Sequence, residues 1–273
     1  MIDYIKKIIL NLINIKCNRH GRKSIQSNEH FLDMFIEFTK NYTKWKCLDN
    51  HVMAKYTSDN YRKKMIYWTK SGIFKDAFDI VDAITKSKLL NKRSLDCFID
   101  ATNIRNINGS YRRNIDVNGK TMLGRMYCDK SKRGLKVTVL ITDKNQLLDV
   151  NIVSGQEHDI SVVSDIYKKL VHSFKSNKRH RVNVVGDKGY TSNKYKTYLA
   201  KHKIHYIIPK KKNQTKTDMY TYYNTDLLKK RHVVENYFAH IKQYTRIRFV
   251  YDKMVYIYEG FLLLSIMNQI AQI

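Results

Sequence analysis

Residues 182–190 read VNVVGDKGY, an apolar run followed by the turn residues Gly186, Asp187, Lys188 and Gly189. A short apolar run closed by glycine predicts a buried strand, with Asp187 at its carboxyl end. A carboxylate is seldom placed at the edge of a buried strand unless it has a partner or a function. Because the chain has only 24 acidic residues among 273, the position of Asp187 indicates a functional role.

Three earlier segments also predict strands. The run LDCFIDATN at 95–103 is short and mostly apolar, and it places Asp100 at its end. Asp96 lies on the same face of that strand by the period of two, and it is the alternative to Asp100. The segments GLKVTVLITD at 134–143 and LLDVNIVSG at 147–155 alternate between apolar and polar residues, which predicts a hairpin.

Later segments alternate between helical and extended patterns. Helical spacing is found at 159–175, 193–202, 226–246 and 254–272, and HYIIP at 205–209 predicts a last strand. Three strands joined by hairpins and followed by βαβ connections predict an α/β fold, with a mixed five-stranded sheet flanked by helices. In such a sheet the first and fourth strands can be neighbours, so we expect Asp100 and Asp187 to meet.

The predicted helix at 226–246 carries a third acid between two cations. Arg231, Glu235, Phe238 and Lys242 lie within one narrow stripe at 100° per residue. Three converging carboxylates indicate hard divalent cations, and two such ions can catalyse an in-line displacement at phosphorus. An ordinary Arg231–Glu235 pair on a solvated face is the alternative.

The first 90 residues predict a helical bundle. Aromatic residues recur at helical spacing between 31 and 45, and a helix that begins after Thr57 or Ser58 ends just before Gly72. A helix beginning at about Phe74 follows, so the region is compatible with a helix-turn-helix that reads DNA. The candidate DNA-binding residues on it are Arg62, Lys63 and Lys64. An ordinary bundle with solvated lysines is the alternative.

Charge indicates the partner. The formal net charge is +27, with 17 Lys and Arg against 9 Asp and Glu up to residue 90, and 34 against 15 after it. Both parts are therefore basic, as we expect of a chain that lies along nucleic acid. Part of the lysine content also fits an AT-rich coding sequence. No phosphate-binding GxxxxGK[ST] loop occurs, so ATP use is not indicated.

Cysteine spacing and the chain ends bear on location. Cys17, Cys47, Cys97 and Cys128 form no C-x-x-C pair, so neither a zinc site nor a disulfide framework is indicated. The apolar segment at 1–16 has no cleavage site of a signal peptide, and the segment at 254–273 contains polar residues. We expect a soluble, intracellular protein that does not bind a membrane.

From about residue 95 to 270 the chain resembles the DDE transposases of bacterial insertion sequences, of the insertion-sequence-five and -four type. The matching stretches are FIDATNIRN, GLKVTVLITD, VSGQEHD, VGDKGYTSNKY, YIIPKKKN and KKRHVVENYFAHIKQYTRIRFVYDK. The most specific parts are Asp-Lys-Gly-Tyr from Asp187 and Arg-x3-Glu-x6-Lys from Arg231. A tyrosine often precedes that arginine by three residues, but this chain has Leu228 there, with Tyr222 and Tyr223 as alternatives.

The resemblance implies an RNase H-like catalytic core over 91–273, after an N-terminal DNA-binding region over 1–90. It implies Asp100, Asp187 and Glu235 as catalytic residues that hold two Mg²⁺ (or Mn²⁺) ions. The expected contacts to DNA are Arg231, Lys242, Lys188, Lys210, Lys211 and Lys212. Asp159 follows His158 in the family pattern, and we interpret it as a helix cap, with a supporting role near the site left open.

The resemblance therefore implies a transposase that binds terminal inverted repeats, cuts them and joins the ends to target DNA, as a homodimer or larger synaptic complex. Two alternatives remain open on the residues alone. One is a metal-dependent DNA endonuclease without strand transfer. The other is a domesticated DNA-binding protein, against which the three acids argue.

Overall fold

A computed structural model of the chain describes residues 2–17, 27–89, 93–107, 123–126, 131–174, 181–210 and 219–270. The α-helices in these ranges are α1 (Ile2–Lys16), α2 (Asn28–Asn41), α3 (Ser58–Lys70), α4 (Ile73–Leu89), α5 (Asp159–Phe174), α6 (Asn193–Lys201), α7 (Met219–Tyr223), α8 (Thr225–Lys229), α9 (His232–Ile241) and α10 (Val255–Ile270). The strands are β1 (Ser94–Arg105), β2 (Gly124–Arg125), β3 (Arg133–Thr142), β4 (Leu147–Ser154), β5 (Arg181–Val185) and β6 (Ile204–Ile207).

The strands form one mixed sheet in the order β2-β3-β1-β5-β6, and β4 also pairs with β3. The Asp143 N–H donates to the Asp96 carbonyl at 3.2 Å, so the end of β3 lies beside the start of β1 and the two are antiparallel. In contrast, β5 pairs in parallel with both β1 and β6. The mixed α/β sheet with flanking helices is confirmed, and so is the adjacency of the first strand and β5.

Two details of the strands differ from the sequence-based expectation. The described sheet has a sixth strand, β2, which is too short to show an alternating pattern and pairs with β3 at Gly134. A Cβ at Gly134 would lie 2.2 Å from the Ile104 carbonyl oxygen, so only glycine permits this close packing. In addition, β1 continues to Arg105, so Asp100 lies inside the strand and the prediction that Asp100 ends it is wrong.

The long helix expected at 226–246 is divided, so that expectation is also wrong. Between α8 and α9 the backbone closes with i→i+3 bonds, from Arg231 to Leu228 and from Val234 to Arg231. Such bonds tighten the last turn of a helix and change its direction. Arg231 therefore lies in the turn before α9 rather than on the helix of Glu235, and Lys242 follows the end of α9.

The chain divides into two compact units that are discontinuous in sequence. The first comprises Met1–Val81, Ile104–Leu135 and His240–Ile273, and the second comprises Asp82–Asn103 and Lys136–Ala239. Functional assignment of 1–90 and 91–273 as separate regions stays a prediction. No helix in the described ranges is long and apolar enough to cross a membrane.

The first unit is held together by the packing of α10 on α1, α2 and α3. Helix α3 begins after Thr57, and Gly72 beyond its end adopts φ +73°, as the spacing predicts. The side chains of Phe35 and Phe38 on α2 contact Phe261 on α10 edge-on or tilted, with ring centroids 6.4 and 5.6 Å apart. Aromatic pairs in these arrangements bury a large area and fix the helices in register.

A buried ion pair lies within this aromatic core. Arg246 is 2% exposed, and its guanidinium donates two bonds of 2.6 Å to the carboxylate of Asp252. Trp45 also donates to Asp252 at 2.9 Å, and its ring lies 5.3 Å from the guanidinium carbon. The rings of Phe38 and Phe261 lie at 4.8 and 5.2 Å from the same carbon. The pair therefore joins α2, the turn at Trp45 and the segment before α10.

We expect Asp252→Asn to destabilise the protein by about 3–5 kcal/mol, because it leaves the Arg246 charge buried without a counterion. Urea unfolding followed by circular dichroism measures the change. Asp226→Asn removes an ion pair with Lys229 that is exposed on both sides, so it serves as the matched control and should leave the midpoint unchanged. Equal shifts of the urea midpoint for the two variants would contradict the stabilising role of the Arg246–Asp252 pair.

Candidate functional site

Asp100 and Asp187 lie side by side because of the register between two strands. The parallel pairing of β1 with β5 runs from Ser94 beside Arg181 to Phe98 beside Val185. Asp100 and Asp187 each follow the last pair by two residues, so they lie at the same level and point to the same face. Both belong to the second unit. The structure therefore brings these two predicted residues together.

The surroundings of Asp100 disfavour its charged form. The pKa of Asp100 is raised to about 6, mainly by burial and also by the neighbouring charge of Asp187. The Ala101 N–H, which donates to the Asp100 carboxylate at 2.8 Å, and the charge of Arg231 act in the opposite direction. Two acids and one cation thus share a poorly solvated site.

Two glycines hold Asp187 in place. The Asp187 carboxylate accepts the N–H of Gly189 at 2.7 Å, which fixes one of its oxygens in the turn that follows β5. A Cβ at Gly186 would lie 2.9 Å from Ile99 and 3.0 Å from Ile208, and a Cβ at Gly189 would lie 2.8 Å from the Asp187 oxygen. Glycine at positions 186 and 189 therefore leaves room for the close packing around the acid.

Glu235 contacts Arg231 in this structure. Its side chain is 62% exposed in the first turn of α9, and its Oε1 lies 3.9 Å from Nη2 of Arg231. In the part of the chain that the structure describes, no three His, Cys, Asp or Glu side chains are grouped closely enough to hold a metal ion. The buried apolar face of α9 is formed by Val234, Tyr237 and Ile241.

Asp96, the alternative to Asp100, is engaged in another contact. Asn183 on β5 donates its side-chain amide to the Asp96 carboxylate at 2.6 Å, and the two residues are register partners. This pair lies four residues before Asp100 and Asp187 on their own strands. The geometry therefore favours Asp100 as the partner of Asp187.

Asp159 belongs to the surroundings of the acid pair, although the sequence pattern indicated mainly a capping role. It is the first residue of α5, and its charge contributes to the raised pKa of Asp100. Its carboxylate accepts a bond of 2.7 Å from Lys136 on β3. The sequence signal for this contact is Lys136 itself, an isolated lysine among the apolar residues of a buried strand.

The basic residues predicted around the site have different environments. Lys188 is exposed in the turn after Asp187, and Lys210 is exposed just beyond β6. Burial lowers the pKa of Lys242, which is half-buried after α9. Lys211 and Lys212 lie outside the described residues.

The basic residues of α3 are partly neutralised within their own helix. Arg62 and Lys63 pair with Asp59 at 3.0 and 2.7 Å, although Lys63 is 69% exposed. The Lys64 ammonium lies over the rings of Phe31 and Trp68, at 5.0 and 5.3 Å from their centroids. Lys63 is thus the residue of the three whose side chain is most open to a phosphate.

Asp100 and Asp187 suit a divalent cation chemically. They provide the hard oxygen donors that Mg²⁺ prefers. A cation between them would offset the repulsion and the loss of solvation that raise the pKa of Asp100. Glu235 can contribute a third carboxylate only if it turns away from Arg231, and its exposed side chain has the freedom to do so.

We expect Asp100→Asn to stabilise the chain in EDTA at pH 8 by roughly 1–3 kcal/mol. Because the pKa of Asp100 is raised from 3.8 to about 6, the folded protein binds a proton more tightly, and its stability falls as pH rises through that window. The gain from asparagine should therefore shrink at pH 5. Urea unfolding at both pH values measures it, with the exposed Asp165→Asn as control. A loss of stability at pH 8 would contradict the prediction.

A comparison with curated proteins finds no match. Among solved structures, the piggyBac transposase synaptic complex with hairpin DNA has 12% identity and a TM-score of 0.43 over 79% of this chain and 50% of that chain. This chain thus spans half the length of that transposase chain. A pre-cleavage Mos1 transpososome has 11% identity and a TM-score of 0.28, over 93% of this chain and 81% of that chain.

Residues 92–267 match the family model described as the transposase DDE domain. This match covers more than half of the 273 residues and includes all three predicted catalytic acids together with Arg231. The side-by-side placement of Asp100 and Asp187 on the sheet provides a physical reason for the match. The chain belongs to the DDE transposase domain family.

Proposed function

We propose that this protein is a DNA transposase that binds transposon ends, cuts a DNA strand to leave a 3′-hydroxyl, and joins that end to target DNA. The observation that carries the proposal is the placement of Asp100 and Asp187 at the same level of β1 and β5, within a matched transposase DDE domain. The large positive charge supports DNA as the partner, in the cell that carries the element.

Asp100, Asp187 and Glu235 would hold two Mg²⁺ (or Mn²⁺) ions. Such a pair of ions activates the attacking oxygen and stabilises the leaving oxygen of an in-line displacement at phosphorus. Asp187 enters this site already oriented by the Gly189 N–H, and Asp100 by the Ala101 N–H. Glu235 is the mobile member, since it must exchange its Arg231 contact for the ions.

The cations around the acids suit the DNA backbone. When Glu235 turns away, Arg231 is left beside Asp100 with its guanidinium available for a phosphate oxygen. Lys188 and Lys210 are exposed on the turns that follow β5 and β6, where parallel strands end at one edge of the sheet. We assign these residues, with Lys242, Lys211 and Lys212, to contacts that hold the cleaved strand in line.

The N-terminal helices are assigned to recognition of the terminal inverted repeats. Helix α3 and helix α4 flank the turn at Gly72, which is the arrangement of a helix-turn-helix. Joining two ends requires two copies of the chain, so we assign the active form as a homodimer or a larger synaptic complex on DNA.

Glu235→Gln and Asp100→Ala should each lower strand cleavage of terminal-repeat DNA in Mg²⁺ at least a hundredfold, because each removes a ligand of the ions. DNA binding in Ca²⁺ should stay within about threefold of the parent, which shows that the variants are folded. Gel assays with labelled strands measure both. Glu157→Gln, near the start of α5, is the matched control and should cut like the parent.

The same assay separates the alternatives. Strand transfer into a target plasmid distinguishes a transposase from an endonuclease that only cuts. If Glu235→Gln and Asp100→Ala cut as fast as the parent, the triad assignment is wrong. If the parent binds terminal repeats without cutting them in Mg²⁺ or Mn²⁺, the protein acts as a DNA-binding protein.

Lys63→Gln should weaken binding of terminal-repeat DNA and reduce the dependence of log K on log salt by about one unit, because one phosphate contact is lost. Fluorescence anisotropy at several salt concentrations measures both quantities. Lys168→Gln is the control, since Lys168 is 65% exposed and pairs with an acid on its own helix, as Lys63 does. If the two variants have equal effects, the assignment of α3 to the DNA-binding surface is wrong.

A further inference from the structure

Lys136 is a buried cation in the middle of the sheet. Its side chain is 5% exposed, and its ammonium donates to the Asp159 carboxylate at 2.7 Å and to the carbonyl of Glu157. A buried ammonium is strongly disfavoured unless hydrogen-bonded partners compensate it, so its two acceptors are fixed with it. Lys136 thus ties the start of α5 to β3.

The bond to Lys136 uses only one oxygen of Asp159. The other oxygen, Oδ2, faces the turn after β5, where a Cβ at Gly189 would lie 3.7 Å from it and 2.8 Å from Oδ1 of Asp187. Asp159 is 41% exposed at its side chain, so a solvated ion can reach it. One oxygen is therefore held in place while its neighbour faces the Asp187 carboxylate.

A buried hydroxyl supports the same location. Tyr190 is 1% exposed, and its hydroxyl has no hydrogen-bond partner among the described residues. After burial, the charges of Asp100, Asp159 and Asp187 are the main causes that raise the pKa of Tyr190. A polar group without a partner in a buried position needs a ligand or water to satisfy it. Tyr190 thus lies among three acids with an unused donor.

We propose that Lys136 positions Asp159 as a fourth carboxylate of the cation site formed by Asp100, Asp187 and Glu235. The inference rests on the proposed function, since that function requires the cation. Asp100 and Asp187 approach from two parallel strands, and Asp159 approaches from the start of the neighbouring helix α5. Repulsion keeps these carboxylates apart in the absence of a cation, and a bound cation draws them together.

A charge-neutralising role and a positioning role of Lys136 predict opposite changes in metal affinity when the lysine is removed. If the ammonium only neutralises the acids, removing it raises the negative charge and tightens the binding of a cation. If it positions Asp159, removing it releases that carboxylate and weakens the binding. The sign of the change in affinity therefore separates the two roles.

The test is Mn²⁺ binding to the full chain without DNA, with free Mn²⁺ measured by electron paramagnetic resonance. Asp159→Asn should raise the Kd for Mn²⁺ at least about tenfold, because it removes the negative charge of one carboxylate of the site. Lys136→Met, which keeps the length and apolar stem, should also raise the Kd. In the Asp159→Asn background, Lys136→Met should have no further effect, because it acts through that carboxylate.

Asp165→Asn and Lys168→Met provide the matched controls, since these residues form an exposed ion pair on the same helix, at 3.3 Å. Both should leave the Kd within about twofold of the parent. Tighter Mn²⁺ binding by Lys136→Met, or an Asp159→Asn variant that binds like Asp165→Asn, would overturn the proposal. If Lys136→Met does not fold, Asp159→Asn alone decides, because asparagine still accepts the bond from Lys136.

If the proposed function itself is wrong, the Mn²⁺ binding experiment gives a different result. If Asp100→Asn binds Mn²⁺ as tightly as the parent, the cation site itself is wrong, and the proposed function fails with it. If Asp100→Asn loses binding while Asp159→Asn does not, only the role of Asp159 is wrong.

Discussion

The hydrogen-bonded pairing of β1 with β5 is the constraint on which the site depends. These two strands are distant in sequence and become neighbours because β3 and β4 are added on the other side of β1, after which α5 returns the chain to β5. A shift of one residue in this parallel register would turn Asp187 to the opposite face from Asp100. The buried valines of β5 and the packing of Gly186 against Ile99 oppose such a shift.

This arrangement lowers stability at the proposed catalytic site. The carboxyl of Asp100 is partly buried beside a like charge, and glycine occupies two positions where a side chain would collide. Compensation is local, through N–H donors, Arg231 and the Lys136–Asp159 pair. Local conflict with folding at positions that do chemistry is a general property of functional sites.

The local sequence pattern was sufficient to predict most of the secondary structure of the second unit. Alternation in 134–143 and 147–155 predicts β3 and β4, and the glycines around Asp187 predict the turn. Features that depend on long-range packing were not predictable: the two-residue strand β2, the continuation of β1 past Asp100, and the break at Arg231. The contact between Lys136 and Asp159 joins residues 23 apart in sequence. The isolated lysine in an apolar strand indicates that Lys136 has a partner, but neither segment identifies Asp159 as that partner.

Because the first unit is discontinuous in sequence, its core cannot form until late in translation. Its core joins α2 and α3 to Arg246 and α10, so the N-terminal helices leave the ribosome long before the residues that cover their aromatic faces. All of the second unit precedes residue 240 in sequence, so its strands can pair earlier. During translation, Phe35 and Phe38 therefore lack their α10 partner, Phe261, until residues 255–270 are synthesised. Cotranslational chaperone binding is best sought in this interval, on α2 and α3.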